Sequence, residues 1–221
     1  MNAVIEHETE LSREQWLEVR KKGIGGSEAA AVLGLNPWMT NVDLWEIKTG
    51  RKDAPDIGGK EYVRYGIDAE APLRELFALS HPEYETHYRP NDIRFSAKHP
   101  FLFSSLDGWL VEKSTGECGV LEIKTTNIFS SMTREKWNDR IPDTYYIQVL
   151  HAMNVNGWGY AKLKAALQSK WDSEIRETHR HYTLLAQDHK DDMETVLEKT
   201  CHFWEYNVQR DIRPNLILPQ I

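Results

Sequence analysis

Two spacings of apolar residues alternate along this chain, and each change of spacing marks a boundary. Ser12 followed by Gln15 has the form of a capping box, so a helix is predicted from Arg13 to Lys22. Gly23-Ile24-Gly25-Gly26 breaks it, and Ser27 reads as the N-cap of a short helix from Glu28 to Leu33, stopped by Gly34. A third helix is predicted from Asn41 to Lys48, ending at Gly50, and residues 51–60 read as a loop. Leu73, Leu76 and Phe77 recur at helical spacing in a helix from Ile67 to Leu79, with Pro72 tolerated near its start. Extended, alternating segments follow near Tyr84–Tyr88 and Asp92–Ser96. Leu102–Val111 and Val120–Thr125 read as two strands of a hairpin, turned by Lys113-Ser114-Thr115-Gly116-Glu117. A helix from Asp143 to Asn154, strands at Tyr160–Ala165 and His179–Leu185, and a long helix from Asp188 to Asn207 complete the reading. Strands in the middle with helices around them imply an α/β sandwich. With no repeat or linker in view, one domain over residues 1–221 is the expectation.

Composition narrows this picture. Hydrophobic residues make up 40% of the 221, enough for a real core, and no stretch approaches the ~20 apolar residues that span a bilayer. The first residues do not lead from a basic segment into an apolar one, so no signal peptide is expected and the cytoplasm is the expected compartment. Cys118 and Cys201 form no C-x-x-C pair, which argues for free thiols rather than a disulfide framework, zinc ribbon or iron–sulfur cluster. The net charge of -7 argues against a protein that coats nucleic acid non-specifically. It leaves room for an enzyme that gathers carboxylates around a cation.

Candidate chemistry centres on Val120-Leu121-Glu122-Ile123-Lys124. Leu121 and Ile123 point to one face, Glu122 and Lys124 to the other. Strands inside an α/β sheet are normally apolar on both faces, so a Glu beside a Lys there needs partners. If the hairpin turns near Ser114 and Thr115, Asp107 falls opposite Glu122, where Cβ atoms lie roughly 5 Å apart. Two carboxylates that close repel unless a hard divalent cation such as Mg²⁺ sits between them. Lys124 would then reach the attacking water or the transition-state charge, an arrangement suited to phosphodiester hydrolysis. The plainer alternative is a solvated strand face with a neighbouring Glu–Lys pair.

Other segments bear on the choice. Glu70 shares the apolar stripe of its helix with Leu73 and Phe77, or else pairs with Arg74 at the surface. Gly25-Gly26-Ser27 opens a helix and can act as an anion site, with Arg20 adding a phosphate contact; a plain N-cap is the alternative. Gln148 and His151 lie one turn apart, Gln148 as a group able to position water and His151 as a satisfied buried polar residue. Trp16, Trp38, Trp45, Trp109 and Trp204 read as core rather than as base-stacking residues.

Trp16-x-x-x-Arg20 followed by Gly23-Ile24-Gly25-Gly26-Ser27-Glu28-Ala29-Ala30 resembles the opening of the phage-type exonucleases of the YqaJ family, relatives of bacteriophage lambda exonuclease. The resemblance continues, in order, through Leu44-Trp45-Glu46-x-Lys48-Thr49-Gly50, Gly66-x-x-x-Glu70, Ser105-Leu106-Asp107-Gly108, Leu121-Glu122-Ile123-Lys124 and Gln148-Val149-Leu150-His151-Ala152-Met153. It covers roughly residues 12–160. It implies the PD-(D/E)xK fold, a restriction-endonuclease-like central mixed β-sheet flanked by helices. It implies catalytic Mg²⁺, one or two ions with Mn²⁺ as a substitute, on Asp107, Glu122 and the Ile123 carbonyl, with Glu70 as a further acidic residue. Lys124 then orients or activates the nucleophilic water, Gln148 assists, and Arg20 and Ser27 hold the 5′-phosphate of a DNA end. Leu106 stands where the family pattern has Pro. The implied reaction is processive 5′→3′ digestion of one strand of duplex DNA, leaving a 3′ overhang. The implied partners are two further copies in a homotrimeric ring and a single-strand annealing protein, in a bacterial host and of phage or prophage origin. An endonuclease of restriction or resolvase type and a non-catalytic DNA-end scaffold are the alternatives.

Overall fold

A computed structural model describes residues 5–8, 11–171 and 174–218. A five-stranded mixed sheet forms the centre, in the order β2 (Tyr84–His87), β5 (Gly108–Glu112), β6 (Cys118–Ile128), β7 (Tyr160–Trp171), β8 (Glu174–Leu185). Only β6 and β7 run parallel; the other neighbours are antiparallel. A three-stranded sheet joins β1 (Ile5–Glu8), β3 (Ile93–Phe95) and β4 (Phe103–Ser104). The two faces of the central sheet follow the period-two alternation. On one face Leu121 and Ile123 pack with Leu110 and Ala166 under Leu73 and Phe77 of α4 (Glu61–Ser80). On the other, Val120, Ala161, Leu163 and Ala165 pack under Ile147, Leu150 and Met153 of α6 (Asp143–Asn156). Burying one leucine-sized side chain this way contributes about 1.5–3 kcal/mol. A third cluster ties α2 (Gly26–Val32) and α3 (Asn41–Lys48) to the C-terminal turns through Ala31, Leu44, Trp45, Phe203 and Trp204.

Several boundaries differ from the sequence reading. The segment predicted as one strand from Leu102 to Val111 is two: β4 pairs with β3 in the small sheet, and β5 starts at Gly108 in the large one. Residues 105–107 form the link between them. Ser27 is not an N-cap: α2 begins at Gly26, two residues before the expected Glu28, with Gly25 at the cap and its N–H donating to Glu28 Oε2 at 2.9 Å. α1 (Arg13–Arg20) is capped as expected, Ser12 and Gln15 bonding reciprocally at 3.2 and 2.8 Å. α4 starts at Glu61 rather than Ile67, and β7 and β8 both extend well beyond the predicted ends. β1 and a short helix, α5 (Ser131–Glu135), are additions. The last helix is α-helical as α7 (Lys190–His202), then widens into a π turn over Phe203–Val208. Among the described residues both cysteines are free, and no helix is long and apolar enough to cross a membrane.

Candidate active site

β6 is the strand that brings the charged pair inward. Glu122 is 1% exposed, and Lys124 Nζ lies 2.5 Å from its Oε1. Gln148, on α6 above this face, donates its Nε2–H to the same oxygen at 2.6 Å. β5 and β6 pair Gly108 with Leu121, so one step further Asp107 faces Glu122, as the hairpin reading expected. Asp107 Oδ2 accepts the Ile123 N–H at 2.8 Å, which fixes the carboxylate against the strand next to the Ile123 carbonyl. Arg74 donates to the main-chain carbonyl of Asp107, and its guanidinium lies 3.8 Å from the centre of the Tyr88 ring. Of the two readings offered for Glu70, the surface pair with Arg74 gives way to this bond from Arg74 to the link before β5, and Glu70 is half-buried.

Burial and the charge on Asp107 push the Glu122 carboxyl up to about 8, against the pull of Lys124. The same two causes push half-buried Glu70 up to about 7, opposed by Lys124 and Arg74. Burial works against the charge on Lys124, but Glu122 and Asp107 outweigh it and raise the amine above its ordinary range. We take Lys124 as a held ammonium, with Glu70 and Glu122 retaining protons longer than isolated carboxyls do. A centre with this excess of carboxylates over cations is chemically suited to a hard divalent ion. Among the described residues, however, no three His, Cys, Asp or Glu side chains stand close enough to hold one ion together. The donor set that fits is two carboxylates, a main-chain carbonyl and water, in keeping with the habit of Mg²⁺ of retaining several waters.

The segment expected to hold an anion reaches the same place. Gly26 packs against Gln148, where an added Cβ would lie 3.1 Å from Cγ, so the start of α2 stands directly beside the carboxylates. Arg20 Nη2 points at Ser27 Oγ from 3.5 Å, and the Arg20 guanidinium stacks over Trp16 at 4.3 Å. Lys48 supports this corner, bonding the Arg20 carbonyl at 2.9 Å and Glu28 at 2.8 Å. A small cavity of about 40 Å³ is lined by Arg20, Ser27, Ser105, Glu122 and Gln148. Sequence reasoning missed Ser105, whose buried Oγ has no hydrogen-bond partner among the described residues. Its place two residues before Asp107 was the only signal the sequence offered. A larger cleft of about 750 Å³, beside β8, contains none of these residues. His151 is buried as expected, its Nε2–H donating to the Phe103 carbonyl at 3.0 Å.

Residues 15–159 match the YqaJ-like viral recombinase domain. The chain belongs to this family. The matched span contains every residue lining the small cavity. The uncharacterized protein YqaJ of Bacillus subtilis (strain 168) is 34% identical over 175 residues, covering 72% of this chain. This YqaJ-like chain spans about half of that protein's length, 47%. Among solved structures, LHK-Exo, an alkaline exonuclease from Laribacter hongkongensis, in complex with dAMP, superposes with a TM-score of 0.59 at 14% identity, over 90% of this chain and 96% of that one. A phage-related exonuclease from Haemophilus somnus 129PT gives 0.57 at 13%, over 86% and 96%. The fold these YqaJ-like residues adopt is thus the PD-(D/E)xK-like α/β fold, a mixed sheet flanked by helices.

Proposed function

We propose that this chain is a metal-dependent exonuclease that digests one strand of duplex DNA from a 5′-phosphorylated end and leaves a 3′ overhang. One observation carries the reading: a single cavity joins Arg20 and Ser27, a place for a terminal phosphate, to Glu122 and Gln148 of the carboxylate–lysine centre. Asp107, Glu122 and the Ile123 carbonyl would hold Mg²⁺, or Mn²⁺ in its place, as one or two ions, with Glu70 nearby. The bound ion would activate water and stabilise charge on the phosphorus. Lys124, held as an ammonium, stabilises negative charge developing on the phosphate oxygens. Gln148 keeps Glu122 oriented through its amide. The unpartnered Ser105 hydroxyl supplies one more donor toward a phosphate in the cavity. The resemblance to the phage-type exonucleases implies, and we propose, a homotrimeric ring around the DNA and a single-strand annealing protein that receives the overhang.

The test is digestion of linear duplexes with and without a 5′-phosphate, in Mg²⁺ and in chelator, beside a covalently closed circle. The expected result is metal-dependent release of mononucleotides from the phosphorylated linear duplex and none from the circle. Lys124→Ala should lose turnover by at least ~100-fold while still binding DNA. Cutting of the circle at comparable speed would point to an endonuclease, and binding without cutting in every condition to a scaffold.

A further inference from the structure

Beyond Lys124, β6 runs outward to Ile128 and the chain enters a segment the catalytic reading does not use. Phe129 is 89% exposed and Met132 74%, although both are large apolar side chains. Between them Ser130 caps α5, accepting the Thr133 N–H at 3.1 Å, so the two apolar residues sit on a short ordered turn. Arg134, Lys136 and Arg140 follow, all exposed. Glu135 and Asp139 stand among them, so the segment carries a small positive excess in a chain whose net charge is -7.

The arm is rooted beside the carboxylate–lysine centre. Trp137, 2% exposed, closes its far end and stacks on Tyr145 at 5.5 Å between ring centres. The Tyr182 hydroxyl donates to the Trp137 carbonyl at 2.6 Å. The Tyr145 ring in turn lies 5.3 Å from Lys124 Nζ. Residues 129–136 therefore project from a fixed base one ring removed from the catalytic amine. Other elements end on the same side. Gly66 of α4 approaches Thr125, beyond Lys124 on β6, while Glu70 lies one turn further along the helix. α6 begins at Asp143, and its Thr144 hydroxyl donates to the Leu35 carbonyl just past the end of α2. The outward end of β6 and the starts of α4 and α6 thus lie toward one end of the sheet, α4 on one face and α6 on the other, and the arm leaves β6 at that end.

We propose that residues 129–136 form a DNA-strand contact, with Phe129 and Met132 packing on bases and Arg134 and Lys136 on backbone phosphates of nucleotides outside the cleavage centre. Exposed aromatic surface next to basic side chains is the combination that binds a nucleic-acid strand without regard to sequence. The proposal rests on the exonuclease reading, because the occupant of the arm is the substrate strand. A second copy of the chain packing on the same apolar pair is the rival occupant.

Two variants separate these outcomes: Phe129→Ala with Met132→Ala, and Arg134→Glu with Lys136→Glu. All four side chains are exposed, so thermal midpoints should stay at the wild-type value. Fluorescence anisotropy with a 5′-phosphorylated duplex, in Ca²⁺ to restrain cutting, reads binding. Hydrolysis of the dinucleotide pdTpdT, too short to reach the arm, reads the centre. Each variant is expected to bind the duplex about tenfold or more weakly, with pdTpdT cleavage and sedimentation unchanged. Wild-type affinity for the duplex, or a changed oligomeric state, overturns the arm and leaves the exonuclease reading standing. A wild-type protein that neither binds nor cuts either probe removes both.

Discussion

His151 shows how a residue near the site can govern stability rather than chemistry. Burial lowers its pKa to about 4, although the Phe103 carbonyl and Glu28 favour the charged form. In the unfolded chain a histidine titrates near 6.5. Between those values the unfolded state binds more protons than the folded one. The contribution of neutral His151 is therefore complete above about 6.5 and is lost as pH falls toward about 4, with an upper bound of about 3 kcal/mol. His151→Gln keeps an N–H for Phe103 and cannot titrate, so its thermal midpoint should fall less than the wild type's across that interval. Equal acid slopes would refute this. The role of His151 was legible in the sequence because a lone histidine on an apolar helix face has few alternatives. Arg74 was not: local spacing offers Glu70 as its partner, whereas its bond to Asp107 depends on α4 lying across the start of β5. Ser105 escaped for a similar reason, since nothing local shows that its hydroxyl faces a cavity.

At the level of elements, Gly119 illustrates what β6 requires of its neighbours. A Cβ there would fall 2.1 Å from the Tyr160 ring, which is buried and packs 5.9 Å from Tyr84. Gly119→Ala should therefore cost about 1–3 kcal/mol through overpacking. Urea unfolding should show a lower midpoint with an unchanged slope; a midpoint equal to wild type would mean that Tyr160 moves freely. α3 was legible because Gly50 marks its stop, and its bounds, Asn41–Lys48, are the expected ones. The split between β4 and β5 was not, because the partners that separate the two halves lie in different sheets and are distant in sequence. The first half of β8 was hidden by exposure of Glu174, Ile175, Arg176, Glu177 and Thr178 alike, which leaves no alternation to read. β1 is defined by pairing with β3 far along the chain, and α5 is too short to carry a period.

For the whole molecule, the acidic balance sets a constraint on how DNA is retained. Bulk attraction is weak for a chain of net charge -7. If subunits enclose the duplex in a ring, the enzyme stays on by topology, and run length should fall only modestly as salt rises. If it stays on through ion pairs with phosphates, run length should collapse steeply, because each neutralised phosphate adds to the salt dependence. Single-turnover digestion of a long duplex at increasing salt, with a trap for released enzyme, decides between them; steep collapse would exclude enclosure. Such a ring was expected from family resemblance alone, and no local pattern in the sequence bears on it.

The parallel pairing of β6 with β7 also orders events during synthesis. Asp107 and Glu122 meet across a hairpin that is complete soon after residue 122 is made. The other edge of β6 waits for a strand beginning at Tyr160, and Gln148 reaches Glu122 only once the intervening helix has folded back. A chain still being translated therefore carries its acidic residues without the strand that shields them or the amide that aims them. A messenger truncated before that strand would yield a fragment in which one edge of β6 stays open and the arrangement around Glu122 is incomplete.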